Sequence, residues 1–77
     1  MPKQPPKDED LLATIGRNIA KYIEIRGFES QEKFAWEIEL PKTTLSRIIR
    51  GKGDVRISKL AKIAKALKVK VDDLLKG

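Results

Sequence analysis

Apolar residues in this 77-residue chain recur mostly in steps of three and four, the spacing that lines one face of an α-helix. Leu12, Ile15, Ile19, Tyr22 and Ile23 predict a first helix from Leu11 to Arg26, which Gly27 can close in left-handed backbone. Ser30 suits the N-cap of a second, shorter helix through Ile38 that buries Phe34, Ala35 and Ile38. After a tight turn at Glu39 and Leu40, Pro41 fits the first turn of a third helix, where its missing N–H costs nothing. That helix buries Leu45 and Ile48 and stops at Gly51, and the GKGD that follows is a loop by composition. Leu60, Ile63, Ala64 and Leu67 predict a fourth helix over 57–68. Val71 to Lys76 make a last short turn or two, with Asp72 and Asp73 near its N-terminus, where carboxylates are favoured. The opening MPKQPPKDED has no apolar anchor before Leu11. Residues 1–10 are therefore expected to form a flexible N-terminal arm, with Asp8, Glu9 or Asp10 available to cap the first helix. Residues 11–77 form one all-α domain of five helices.

Size and composition narrow the chemistry. A chain this short buries only about 60–65% of the surface its unfolded form exposes, so it needs idealised packing or a partner copy. It has no cysteine and no histidine, which excludes disulfides, thiolate chemistry and Ser/His or Cys/His catalysis, and removes the usual zinc ligands. The acids are scattered, Ser46 has no base beside it, and there is no glycine-rich phosphate loop. No catalytic residue, metal or cofactor is expected, and the chain is not expected to be an enzyme. The start lacks a signal peptide's apolar core and no apolar run approaches the ~20 residues of a membrane span. A cytoplasmic binding module is the expectation.

Charge placement adds more than the net +6 does. Residues 1–41 carry six basic and eight acidic side chains, whereas residues 42–70 carry ten basic ones and Asp54 alone as an acid. Lysine-rich helices often simply present solvated faces, but an asymmetry this large favours a polyanionic partner, nucleic acid before acidic membrane.

The segment Gln31 to Arg50 is a pair of short helices joined by a turn of a few residues. That arrangement can lay its second helix in the major groove of duplex DNA. The outer positions of the second member, Lys42, Thr43, Ser46, Arg47 and Arg50, are short polar or cationic, with no acid among them. Arg47 can bond bidentately to guanine O6 and N7, and Thr43 can bond a base or pack its methyl on thymine.

SQEKFAWEIELPKTTLSRIIRGKG, followed by ISKLAKIAKALKVKVDDLLKG, resembles the lambda-repressor-like helix-turn-helix family of Cro, phage repressors and XRE-type regulators. The resemblance spans roughly residues 11–76. It rests on Gln31, Ala35, Leu40, Ser46, Gly51 and the LAKIAKALKVKVDDLL tail. It implies a compact five-helix bundle whose third helix reads DNA, with Lys42, Thr43, Ser46 and Arg47 at base edges. Gln31 would touch the phosphate backbone and brace the recognition helix, and Arg50, Lys52 and Arg56 would grip phosphates. A sequence-specific transcriptional regulator is expected, a repressor binding a palindromic operator as a homodimer, since one module of this size covers too little DNA for tight specific binding.

Several positions depart from the family pattern. Glu39 stands where the family usually has a turn glycine, and Lys68 at another glycine position before the final turn; a non-glycine residue in left-handed backbone is strained. Pro41 replaces the usual cap of helix 3, so that helix is expected to begin one residue early. Ile49 takes the acid's place in a buried Arg–Glu pair that family members share between helices 1 and 3, with Ile23 the nearest candidate for the basic position. Apolar residues replacing such a pair leave the fold intact.

Three features stay open at this level. Val69, Val71, Leu74 and Leu75 serve either as a dimer surface or as internal core. Trp36 either covers helix 1 or the proline arm, or contacts a partner protein, since exposed tryptophan is favoured at binding hot spots. An alternative function follows from the second option, an antitoxin or adaptor module whose main partner is a toxin or another regulator. The arm itself could reach into DNA, although its three acids argue against it.

Overall fold

The structure, a computed structural model, describes residues 8–52 and 55–76. It contains α1 (Asp8–Ile25), α2 (Gln31–Glu37), α3 (Lys42–Ile49), α4 (Ile57–Ala66) and α5 (Val71–Leu75), with no strand among the described residues. The expected all-α bundle of five helices is what forms.

The helix starts follow local rules with two adjustments. α1 begins at Asp8 rather than Leu11, because acidic residues are favoured in a first turn. The last three residues of the expected arm are thus helical, and residues 1–7 lie outside the described ones. Ser30 caps α2, its Oγ accepting a hydrogen bond from the Lys33 N–H at 3.1 Å. Pro41 is the N-cap of α3 rather than its first residue, at φ −56°, and offers no side-chain acceptor. At α5, the Lys70 N–H donates to Asp73 Oδ2 and the Asp73 N–H donates back to the Lys70 carbonyl, both at 3.0 Å.

The first four helices end in one manner. One residue beyond each cap, Gly27, Glu39, Gly51 and Lys68 take φ of +79°, +56°, +71° and +59°. Each donates its N–H three residues back, and the next residue donates five back, as Phe28 does to Ile23 and Lys52 to Arg47. This is the paired closure that satisfies terminal carbonyls. α4 accordingly ends at Ala66, shorter than its apolar pattern suggested. At the position after the left-handed residue, Phe28, Leu40 and Val69 pack on the core. Lys52, the corresponding residue behind α3, is exposed.

α1 is the hub, packing against α3, α5 and α2, while α4 packs on α5. Its Ile15, Ile19 and Ile23 meet Phe34, Ala35 and Ile38 of the α2 segment, Leu45 and Ile48 of α3, Leu60, Ile63, Ala64 and Leu67 around α4, and Leu74 of α5. Phe28 stands edge-on to Phe34 with ring centres 4.8 Å apart. Asn18 of α1 and Arg26, the residue that follows that helix, hold distant helix ends. Asn18 Nδ2 donates to the carbonyls of Leu74 and Lys76 at 2.8 and 2.6 Å, and Arg26 Nε donates to that of Leu67 at 2.8 Å. They supply partners for carbonyls that a helix terminus leaves open.

Leu74 is wholly buried within the chain, so it belongs to the core and leaves the candidate dimer surface. Val69 and Val71 are half-buried against the same core, and Leu75 is 38% exposed. No helix among the described residues is long and apolar enough to cross a membrane.

Candidate nucleic-acid interface

Three contacts orient α3. Ala35 of α2 is buried in the core, and α2 packs against α3. Leu40 packs its side chain on the core from the turn between them. On the α1 side, Gly16 lies directly beneath the Ile48 and Ile49 carbonyls. Leu45 and Ile48 face inward, which leaves Lys42, Thr43, Arg47 and Arg50 exposed and Ser46 half-buried on the outer side.

Those five outer residues line one open concavity. A second concavity adjoins it, lined by Thr44, Arg47, Lys52, Arg56 and Lys59 among others. Arg47 belongs to both, so the outer face of α3 adjoins Lys52, Arg56 and Lys59. The predicted base-contacting set is thereby brought together, and the cationic residues Lys52 and Arg56 sit beside it. Among the described residues, no carboxylate forms an ion pair with Arg47, Arg50, Lys52, Arg56 or Lys59.

Lys42 is different. Its Nζ lies 3.3 Å from Glu32 Oε2 across the α2–α3 turn. No acid stands on α3 itself, as expected, but one reaches the face from α2. Gln31 is exposed at the start of α2 and lines neither α3 concavity; it sits with Arg17, Lys21 and Ser30 between α1 and α2. Trp36 does not cover α1. It is 81% exposed and shares an open concavity with Ser30, Glu32 and Lys33.

Four residues at or under this surface escaped sequence reasoning. Thr44 stands next to the base-facing candidate Thr43, and Lys59 is indistinguishable by spacing from the other lysines of α4. Glu32 is ten residues from Lys42, beyond any helical spacing rule. Gly16 carried a signal, a glycine in the middle of a helix, where it costs stability unless a close approach requires it.

The sequence and the fold are similar to those of proteins already known. The family described as Helix-turn-helix matches residues 30–74, more than half of the chain. The control protein C.BamHI of Bacillus amyloliquefaciens is 48% identical over 46 residues, 60% of this chain, which covers 57% of that protein's length. Among solved structures, the hypothetical transcription factor NHTF from Neisseria superposes with a TM-score of 0.81 at 30% identity, covering 99% of this chain and 86% of the other. The restriction-modification controller protein C.AhdI from Aeromonas hydrophila gives a TM-score of 0.74 at 25% identity, with coverage of 82% and 94%. Sequence, fold and the disposition of α2 and α3 agree, and the chain belongs to the helix-turn-helix family of XRE-type transcription regulators.

Proposed function

We propose that this chain is a sequence-specific DNA-binding regulator that represses transcription as a homodimer on a two-fold operator, with α3 in the major groove. The observation that carries this reading is the continuity of the two α3 concavities, joined at Arg47 and free of paired acids apart from Glu32. Base edges are met by Lys42, Thr43, Ser46 and Arg47, with Arg47 bidentate to guanine. Phosphates are met by Gln31, Arg50, Lys52 and Arg56, which fix register without reading sequence. Similarity to a control protein and to a restriction-modification controller protein supports a controller role of that kind for this chain.

Dimerisation follows from size. One small module covers too little duplex for tight specific binding, whereas two recognition helices spaced by one helical turn double the surface. The half-exposed apolar residues Val69, Val71 and Leu75 are the proposed contact between copies. Selection of bound sequences from a random duplex pool tests the whole reading. A palindromic motif with half-sites one turn apart is the expected outcome; recovery of unbiased sequence would sink base reading, and a single half-site would sink the dimer.

A second function is favoured by one observation, the exposure of Trp36. Its indole, beside Glu32 and Lys33, is the proposed contact for a protein partner, a toxin or another regulator. Trp36 fluorescence that shifts with a co-purified protein and stays constant with operator DNA would make partner binding the main role.

A further inference from the structure

The pairing of Lys42 with Glu32 carries an inference that rests on the DNA-binding reading above. Lys42 is the first residue of α3, whose N-cap is Pro41 without a side-chain acceptor and whose first turn has no acid. A cation there adds to the positive end of the helix dipole. Left alone, that end of α3 would attract any DNA phosphate regardless of sequence. The Glu32 carboxylate, supplied from α2, lies 3.3 Å from the ammonium and opposes that charge. The two side chains are 67% and 70% exposed, so the pair adds little to fold stability. Its effect is positional. It ties the ammonium of Lys42, a residue that lines the concavity with Thr43, Ser46, Arg47 and Arg50, to a carboxylate that belongs to α2 and lies outside that lining.

We infer that Glu32 is a specificity-determining residue: it pairs with Lys42 where α2 meets the start of α3 and withholds the ammonium charge from indiscriminate pairing with phosphates. Discrimination between operator and bulk DNA then depends on an acid that touches neither base nor phosphate. Removing it frees Lys42 to act as one more phosphate contact, which strengthens binding to all DNA and to random DNA most.

The test is a salt titration of wild type and E32Q on two duplexes, one selected from a random pool and one of random sequence. E32Q is expected to tighten random-sequence binding roughly threefold to tenfold and to steepen its salt slope by about 0.9, the signature of one added phosphate contact. The selected duplex should gain less, so the ratio of the two affinities narrows. In a Lys42→Ala background the E32Q effect should vanish, and E37Q, which alters an exposed acid on the same helix, should leave the ratio unchanged. An equal gain on both duplexes, or a gain that survives in Lys42→Ala, would show that Glu32 merely repels the polyanion and would overturn the inference. Wild type that prefers neither duplex defeats the DNA-binding reading itself, and that result is visible before any variant is made. A melting curve for E32Q that overlays wild type separates these outcomes from a folding defect.

Discussion

Gly16 of α1 and Ile49 of α3 meet backbone to backbone. A methyl group added at Gly16 would collide with the Ile49 carbonyl oxygen and lie 2.7 Å from that of Ile48. Neither atom is the movable end of a side chain, so the helices must separate to admit it. Overpacking of this kind costs about 3 kcal/mol. In a domain this small the loss lowers the midpoint by more than about 10 °C. Gly16→Ala should therefore melt far below wild type when followed by circular dichroism. A midpoint within about 2 °C of wild type would mean that α1 does not set the seat of the recognition helix.

That contact also marks the border of what the residues disclose in order. Helix existence and most ends were legible because the signals are local: apolar spacing, the Ser30 cap, and Gly27 and Gly51 as left-handed stops. The outer face of α3 was legible for the same reason, since Leu45 and Ile48 fix which side is inward. Relationships across the fold were not. Asn18 and Arg26 bind carbonyls 56 and 41 residues away, and no spacing rule links a side chain to a remote helix terminus. Leu74 and Leu75 look equivalent in the chain, yet one is fully buried and the other half-exposed, because only the docking of α5 on α1 distinguishes them. Trp36 carried an ambiguity that burial alone resolved against packing on α1.

Strain at Glu39 and Lys68 leads to a gain-of-stability prediction. Both stand in left-handed backbone at φ +56° and +59°, which costs a residue with a Cβ about 1–2 kcal/mol. Glycine removes that cost and returns about 0.5–1 kcal/mol through the freedom of the unfolded chain. Glu39→Gly and Lys68→Gly should each raise stability by about 0.5–1 kcal/mol in urea unfolding. Gly27 provides the reverse case. A Cβ there meets nothing within 4 Å, so Gly27→Ala should lose about 1 kcal/mol from backbone conformation alone. Stability unchanged in all three variants would remove strain from the account of these helix ends.

Acid sensitivity should centre on α5. The backbone N–H of Lys70, donating to Asp73 Oδ2, holds the Asp73 carboxyl below its ordinary value of 3.8, and Lys76 adds to the effect. A carboxyl depressed in the folded state stabilises the fold above its unfolded value, and that contribution fades as pH falls through the folded one. Melting temperature recorded from neutral pH downward should therefore decline below about pH 4, and Asp73→Asn should flatten that part of the curve. An acid limb identical in wild type and Asp73→Asn would place the sensitivity elsewhere.

Arg47 and Lys52 should separate reading from gripping. Arg47 lines both α3 concavities, so its guanidinium can enter the groove from a helix seated on Gly16. Lys52 follows the left-handed Gly51, exposed where the other helix ends bury an apolar residue. Arg47→Ala should weaken the selected duplex by about 1–3 kcal/mol and leave random DNA almost unchanged. Lys52→Ala should weaken both duplexes alike and reduce the salt slope by about 0.9, one phosphate contact fewer. Binding titrations at several salt concentrations resolve the two patterns. Equal losses on every duplex for both variants would mean that Arg47 touches phosphate only, and sequence would then have to be read by Thr43, Ser46 and Lys42, the remaining outer residues of α3's first turns.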